Sequence, residues 1–204
     1  MRGSSFPELV LSLLAVAACT PTIDPGTYFC GPDGACPEGQ ACNGPDNTCV
    51  LANQALPFEC GTDFSDVTGD DATATGQNIS LTSCVSPVFA ATGCLPVGDV
   101  ADWFQFDVPS TCTAVQVEAR ITFPVAFQRL ELQLSEANGA GQARETPCTG
   151  SQNPDAPDEV RCLTATVQAG MHYAIGAVPD GTQNCDDQCK NNRYAIQIRL
   201  AAPP

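Results

Sequence analysis

Cysteine is the residue type whose number and position could carry most chemistry in this chain. The 204-residue sequence has 13 cysteines, an odd count. If Cys19 stands apart, the remaining twelve can form up to six disulfides, because an oxidising compartment keeps thiols paired. A cytosolic metal-binding protein is the competing interpretation. It is disfavoured because His172 is the only histidine and because the N-terminal signal described next would route the chain out of the cytosol.

Cys19 follows a short apolar run at 9–16 and two small residues, Ala17 and Ala18. This arrangement resembles a bacterial lipoprotein signal, in which the peptidase closes on a backbone with small side chains and the cysteine thiol is acylated. The resemblance implies a signal peptide at 1–18 and a palmitate-type anchor on Cys19 in the outer membrane or at the cell surface. The alternative is an ordinary secretory signal with a chance cysteine. A membrane-spanning helix needs about 20 apolar residues, which this run does not supply.

The net charge of −15 limits the partners of the chain. So acidic a protein repels phosphates, which argues against binding to nucleic acid and against electrostatic docking on anionic lipid. Divalent cations and basic partners would be attracted. The alternative is that the acidity only keeps an exported protein soluble.

A cysteine-rich module is predicted at 28–50, after a tether at 19–27 and before a linker at 51–57. Two similar turn sequences, Gly-Pro-Asp-Gly and Gly-Pro-Asp-Asn, separate its cysteines. Because so short a stretch buries little apolar area, disulfide crosslinks must stabilise its fold. The cysteine spacing resembles EGF-like or Dickkopf-type modules. Four cysteines allow three pairings, and the resemblance implies Cys30–Cys42 and Cys36–Cys49.

The rest of the chain, 58–200 with a tail at 201–204, is predicted to be all-β. Apolar residues alternate with polar ones at 104–108, 115–123, 130–134, 160–167, 171–177 and 194–200. Period-two alternation is typical of strands with one buried and one wet face. Several such strands separated by turns favour a two-sheet sandwich.

The order of these strands resembles the bacterial pre-peptidase C-terminal domain. The motifs are Asp-Val-Ala-Asp-Trp-Phe-Gln-Phe-Asp-Val at 99–108, Leu-Glu-Leu at 130–132, Ala-Gly at 169–170 and Tyr-Ala-Ile-Gln-Ile at 194–198. The resemblance implies a jelly-roll-type antiparallel β-sandwich. It also implies a calcium site at Asp99 and Asp102, with Glu59 or Asp63 from the entry segment. The alternative is that Asp99 and Asp102 only shape a turn.

Four aspartates, Asp63, Asp66, Asp70 and Asp71, lie in a loop rich in glycine and threonine. Their spacing lacks the alternating ligands and the closing glutamate of an EF-hand. We therefore expect an ordinary solvated acidic loop here.

Eight cysteines follow the module, and they allow 105 pairings. Choosing the shortest loops predicts Cys84–Cys94 and Cys148–Cys162, which leaves Cys60–Cys112. Cys185 and Cys189 have the spacing of a zinc knuckle. A zinc site would need two more ligands, so a disulfide is the preferred interpretation.

No catalytic signature appears in the sequence. His172 lies in a strand pattern without a serine, cysteine or aspartate in a known nucleophile motif, and no phosphate-binding glycine loop is present. We expect a non-enzymatic, lipid-anchored surface lipoprotein whose sandwich binds an extracellular protein or glycan or serves as a spacer. The alternatives are a calcium-dependent accessory domain assisting a separately encoded secreted hydrolase and, less favoured, a hydrolase of unfamiliar type.

Overall fold

The computed structural model describes residues 23–61, 66, 69–96, 98–136, 142–148, 157–181 and 192–204. Cys19, Asp63, Cys185 and Cys189 lie outside these ranges, so their predicted roles stay predictions. Within them, regular structure is β-strand apart from one 3₁₀ turn, Pro32–Gly34. None of the described residues form a helix with the length and apolar character needed to cross a membrane.

The N-terminal cysteine-rich segment is built on a hairpin of β1 (Gln40–Asn43) and β2 (Thr48–Leu51). Asn47 in the turn takes a φ of 58°, a left-handed conformation that asparagine tolerates better than most residues. Disulfides join Cys30 to Cys42 and Cys36 to Cys49, the pairing that the resemblance implies.

The remaining strands form two sheets, which confirms the predicted all-β sandwich. The strands are β3 (Gln77–Asn78), β4 (Phe89–Leu95), β5 (Asp102–Asp107), β6 (Val115–Pro124), β7 (Leu130–Glu136), β8 (Gln142–Arg144), β9 (Asp158–Val167), β10 (His172–Pro179) and β11 (Asn192–Ala201). The first sheet has the order β3-β5-β10-β7-β8 and the second β4-β11-β6-β9. All pairings are antiparallel except the short parallel contact of β3 with β5.

The core lies between the two sheets and follows the alternation in the sequence. On β11 the even-numbered residues from Tyr194 to Leu200 are buried, while the odd-numbered ones point to solvent or are partly covered. One cluster of buried side chains joins both sheets, and it includes Phe104, Phe106, Val117, Ile121, Leu132, Ile175, Tyr194, Ile196 and Ile198. The period-two pattern therefore identifies the inward face correctly.

Strand β5 departs from the simple alternation. Gln105, on the face expected to be wet, is buried together with Trp103. The chain at 69–79 crosses this face and hydrogen-bonds to it, so both faces of β5 are covered. Trp103 packs against β10, where a Cβ on Gly176 would lie 2.9 Å from the indole ring.

Two predicted disulfides are wrong. The structure joins Cys60 to Cys94 and Cys84 to Cys112, instead of Cys84 to Cys94 and Cys60 to Cys112. Most of the chain between Cys84 and Cys94 is the extended strand β4. At about 3.3 Å per residue it carries the two cysteines beyond the roughly 7 Å that a disulfide spans between Cα atoms. Cys148 pairs with Cys162, as the sequence analysis predicts.

The cysteine-rich segment packs directly on the sandwich. The Arg193 guanidinium on β11 donates to the carbonyl of Pro45 at 2.8 Å and lies 5.5 Å from the centre of the Phe58 ring. Phe58 also stacks on Phe127, with ring centroids 4.9 Å apart. Leu56, in the segment predicted as a linker, accepts a hydrogen bond from Gly44.

Candidate cation site

The chain from Gly69 to Ile79 is fastened along β5, and this positions the candidate site. Trp103 N–H donates to the Asp70 carbonyl at 3.1 Å, and Ile79 N–H donates to the Gln105 carbonyl at 2.8 Å. The Gln105 amide donates to the Thr73 carbonyl at 2.6 Å. Gly76 allows the close approach, since a Cβ there would lie 2.6 Å from the Trp103 carbonyl oxygen. These contacts bring Asp70 beside the first residue of β5, Asp102.

Three carboxylates meet at this point. One oxygen from each of Asp66, Asp70 and Asp102 lies within 4.8 Å of the others. Asp70 is 3% exposed and Asp102 is 2% exposed. Each of these two has an Oδ1 atom that is buried without a hydrogen-bond partner. Buried carboxylate oxygens without partners are costly, so this arrangement calls for a cation or for protons.

The second oxygen of Asp102 is held by Tyr194. The tyrosine hydroxyl donates to Asp102 Oδ2 at 2.5 Å. Tyr194 lies across β4 at Gly93, its register partner, where a Cβ would come within 2.3 Å of the hydroxyl oxygen. Gly93 therefore makes room for the tyrosine, and the tyrosine fixes the orientation of the Asp102 carboxylate.

Burial dominates the electrostatics of the site. Burial, with the charges of Asp70, Asp99 and Asp66, raises the pKa of Asp102 to about 8 against the opposing hydrogen bond from Tyr194. Burial and the charges of Asp66 and Asp71 raise the pKa of Asp70 to about 6. The pKa of the Tyr194 hydroxyl is raised well above its usual range, first by burial and then by the Asp102 charge.

Asp99 borders this group. Its Oδ1 accepts from Ala101 N–H at 3.4 Å, whereas its Oδ2 is buried without a partner. Burial and a hydrogen bond with the Asp71 side chain raise the pKa of Asp99 to about 7. Asp99 and Asp102, which the sequence analysis pairs in one site, thus lie in the same acidic corner. We use this name for Asp66, Asp70, Asp99 and Asp102.

The structure does not place the two expected entry ligands, Glu59 and Asp63, in the acidic corner. Glu59 is exposed and lies outside the carboxylate group that the described residues form, and Asp63 lies outside the described ranges. The expectation of a solvated acidic loop is wrong for Asp70, which the path of 69–79 buries, although Asp71 is exposed. Sequence reasoning did not assign Asp66 and Asp70 to the site, and nothing in the sequence distinguishes Asp70 from Asp71.

The donor chemistry of the acidic corner fits calcium. Its side chains offer only carboxylate oxygens, which are hard ligands, and no sulfur or imidazole that would favour zinc. Three oxygens within 4.8 Å of one another share a point no more than about 2.8 Å from each, which is close to the calcium–oxygen distance of about 2.3–2.6 Å. Among the described residues, no arginine or histidine forms an ion pair with these aspartates.

Two other features offer less chemistry. The His172 ring contacts Asp107 Oδ1 through Nδ1 at 2.8 Å and Gln105 Oε1 through Nε2 at 3.3 Å. Both ring nitrogens thus face oxygens, and neither faces a hydroxyl or thiol nucleophile. A depression of about 490 Å³ on the outer face of the second sheet is lined by residues such as Gln116, Arg120 and Gln197. Its charged lining side chains are Glu118, Arg120 and Arg199, and Glu118 forms an ion pair with Arg199.

Comparisons with protein-family models and with curated protein sequences return no match. Among solved structures, the chain is similar to the pre-peptidase C-terminal domain of a collagenase from Bacillus anthracis, at 13% identity and a TM-score of 0.36, over 61% of this chain and 94% of that one. It is also similar to PliG, a periplasmic inhibitor of g-type lysozyme. The Salmonella Typhimurium protein gives 14% identity and a TM-score of 0.39, over 62% of this chain and 100% of that one. The Aeromonas hydrophila protein gives 9% and 0.32, over 62% and 99%. Likeness at this level carries no functional argument.

Proposed function

We propose that this chain is an exported, lipid-anchored, non-enzymatic surface protein whose β-sandwich binds an extracellular protein or glycan and holds a calcium ion at the acidic corner. The observation that carries the proposal is the pair of buried, unpartnered carboxylate oxygens of Asp70 and Asp102 in a sandwich crosslinked by disulfides. Such crosslinks persist in oxidising compartments, which supports export.

A calcium ion would have a structural role at this position. Asp102 begins β5, Asp70 belongs to the chain at 69–79 that crosses β5, and Asp66 precedes that chain in the sequence. An ion shared by the three carboxylates would therefore tie that crossing chain to the sheet and relieve the repulsion among them. Because the carboxylates must be ionised to bind it, calcium affinity should rise with pH.

The anchor and the ligand need separate experiments. If Cys19 is acylated, Cys19→Ala should leave the signal uncleaved at that site and abolish incorporation of labelled fatty acid. Equal labelling of wild type and variant would refute the anchor. A glycan and protein array probed with residues 20–204 tests the binding role. Reproducible binding to one class of ligand is expected, and a blank array would refute it.

The second candidate is a calcium-dependent accessory domain that assists a separately encoded secreted hydrolase. The acidic corner favours it, since an accessory domain of this kind needs a calcium site. A peptidase or glycosidase encoded beside this chain should then act faster on polymeric substrate when wild-type protein and calcium are both present. If the Asp102→Asn variant gives the same acceleration, or if no acceleration occurs, this candidate is refuted.

A further inference from the structure

Strand β4 forms an open edge of the second sheet. It pairs on one side with β11, from Phe89 opposite Ile198 to Leu95 opposite Asn192. In the part of the chain that the structure describes, no backbone group at 88–92 makes a hydrogen bond on the other side. A row of free N–H and C=O groups is a template for another extended chain.

The other sheet edges are short or covered. Strands β3 and β8 have only two and three residues. The edge of β9 carries a strap, residues 145–148. Thr146 N–H donates to the Cys162 carbonyl at 2.8 Å, Thr164 N–H donates to the Thr146 hydroxyl at 3.0 Å, and Cys148 is crosslinked to Cys162. Strand β4 is thus the long edge without a cover among the described strands.

The side chains of β4 do nothing to protect it. Exposed edges usually carry lysine, proline or a bulge, but Phe89–Leu95 contains neither a charged residue nor proline. Val88, just before the strand, is 51% exposed. Gly93, Cys94 and Leu95 are buried, so the accessible part is 88–92, about 16 Å long at roughly 3.3 Å per residue.

We propose that this open edge takes up an extended segment of a partner protein, which adds as a further strand beside β4 and carries basic residues. The inference rests on the proposed binding role and names the class of partner. Main-chain hydrogen bonds would supply the affinity, and the net charge of −15 selects for a basic segment. A second copy of this chain would bring the same charge. Five residues of edge would also bury far less than the roughly 1,200–2,000 Å² of a standard interface.

The direct probe is a synthetic peptide, Lys-Val-Thr-Val-Thr-Val-Lys, titrated against the full chain by fluorescence anisotropy. Two analogues carry N-methyl groups on alternate amides, one in each register, and a third has glutamate in place of lysine. We expect one N-methyl register and the glutamate peptide each to bind at least about tenfold more weakly, a difference of about 1.4 kcal/mol. Amide hydrogen exchange should slow at 88–92 in the complex. Equal binding of all four peptides, or none by any, would overturn the proposal.

A double variant of the chain gives an independent reading. Ala90→Lys with Thr92→Lys places two positive charges on exposed positions of the open edge, and Thr164→Lys with Thr166→Lys adds the same charges to exposed positions of β9. We expect about tenfold weaker peptide binding for the β4 variant and a change under about twofold for the β9 control. Circular dichroism checks that both double variants fold. If one of them does not fold, the N-methylated peptides still test whether the partner strand pairs with β4.

Two further outcomes would overturn the proposal. A β4 variant that keeps full affinity for the basic peptide would place the binding elsewhere. A dimer in sedimentation that the β4 variant abolishes would make a second copy the occupant. If the β4 variant also keeps its array ligand, the binding role stands and only the edge proposal fails.

Discussion

Replacing Asp102 by asparagine should stabilise the protein when no calcium is present. Asp102 is 2% exposed, and its pKa in the folded protein is raised from 3.8 to about 8. The folded state therefore holds this proton more tightly than the unfolded chain does. The stability gained from this tighter protonation of Asp102 is fully present below about pH 4 and is lost as the pH rises to about 8. Asparagine keeps an oxygen that can accept from Tyr194 but never ionises.

The expected magnitude follows from the shift. Each pKa unit corresponds to about 1.36 kcal/mol. Between about pH 4 and about pH 7, ionisation of Asp102 should therefore lower the free energy of unfolding of the wild type by roughly 4 kcal/mol. This value is an upper bound because the neighbouring aspartates share protons with Asp102. The apo Asp102→Asn variant should be free of this loss. The two proteins should differ by under about 1 kcal/mol at pH 4, where both side chains are neutral.

Calcium should narrow the difference in stability between wild type and variant. At a calcium concentration about 100-fold above the dissociation constant, the wild type gains about 2.7 kcal/mol. That corresponds to a rise of roughly 5–10 °C in Tm for a chain of this size. The variant should show little or no rise. Urea unfolding and calorimetry, at about pH 4 and pH 8, with EDTA or with about 10 mM calcium, provide the measurement.

Glu38→Gln is the matched control, because it removes one negative charge at an exposed position. It should leave both the pH dependence and the calcium response unchanged. An Asp102→Asn variant that is less stable than wild type in EDTA at pH 8 would refute the reasoning about buried charge. Equal calcium responses in wild type and variant would refute the site.

The remaining predictions concern packing and crosslinks. Ile196→Ala should cost roughly 2–5 kcal/mol because the side chain is fully buried, while Gln197→Ala should cost under about 0.5 kcal/mol; equal costs in urea unfolding would contradict the alternation on β11. Gly93→Ala should cost roughly 1–3 kcal/mol, because its Cβ would collide with the Tyr194 hydroxyl, and an unchanged Tm would show that the tyrosine is not held there. The denatured, unreduced, mature protein should react with no thiol-alkylating reagent; two labelled thiols would mean that Cys185 and Cys189 are unpaired.

Strands with one buried and one solvent-exposed face are predictable from the sequence. Strands β6, β7, β9, β10 and β11 lie where the alternation places them, with small differences at their ends. Strand β4 was missed because Phe-Ala-Ala-Thr-Gly-Cys-Leu has small residues where a pattern would need polar or large apolar ones. The covered face of β5 could not be foreseen, since Gln105 is buried by a chain segment distant in sequence.

The candidate site was only half predictable for a related reason. Asp99 and Asp102 stand out because they precede an aromatic strand. Asp70 becomes a site residue only because Gly76 and β3 hold its loop against β5. The predicted partners of Cys60 and Cys84 are wrong because the choice of shortest loops takes no account of the distance that an extended strand spans. That distance is known only once the fold places β4 between Cys84 and Cys94.

The strap beside β9 has a consequence for how the protein is made. Before oxidation, nothing covalent holds residues 145–148 against the ten-residue strand Asp158–Val167. A reduced chain would then hold the strap by hydrogen bonds alone and would expose the edge of β9 more readily. Unpaired edges promote association between chains. Closing the Cys148–Cys162 bridge early would therefore protect the yield of soluble protein, and cells short of oxidising capacity should accumulate this chain as aggregates.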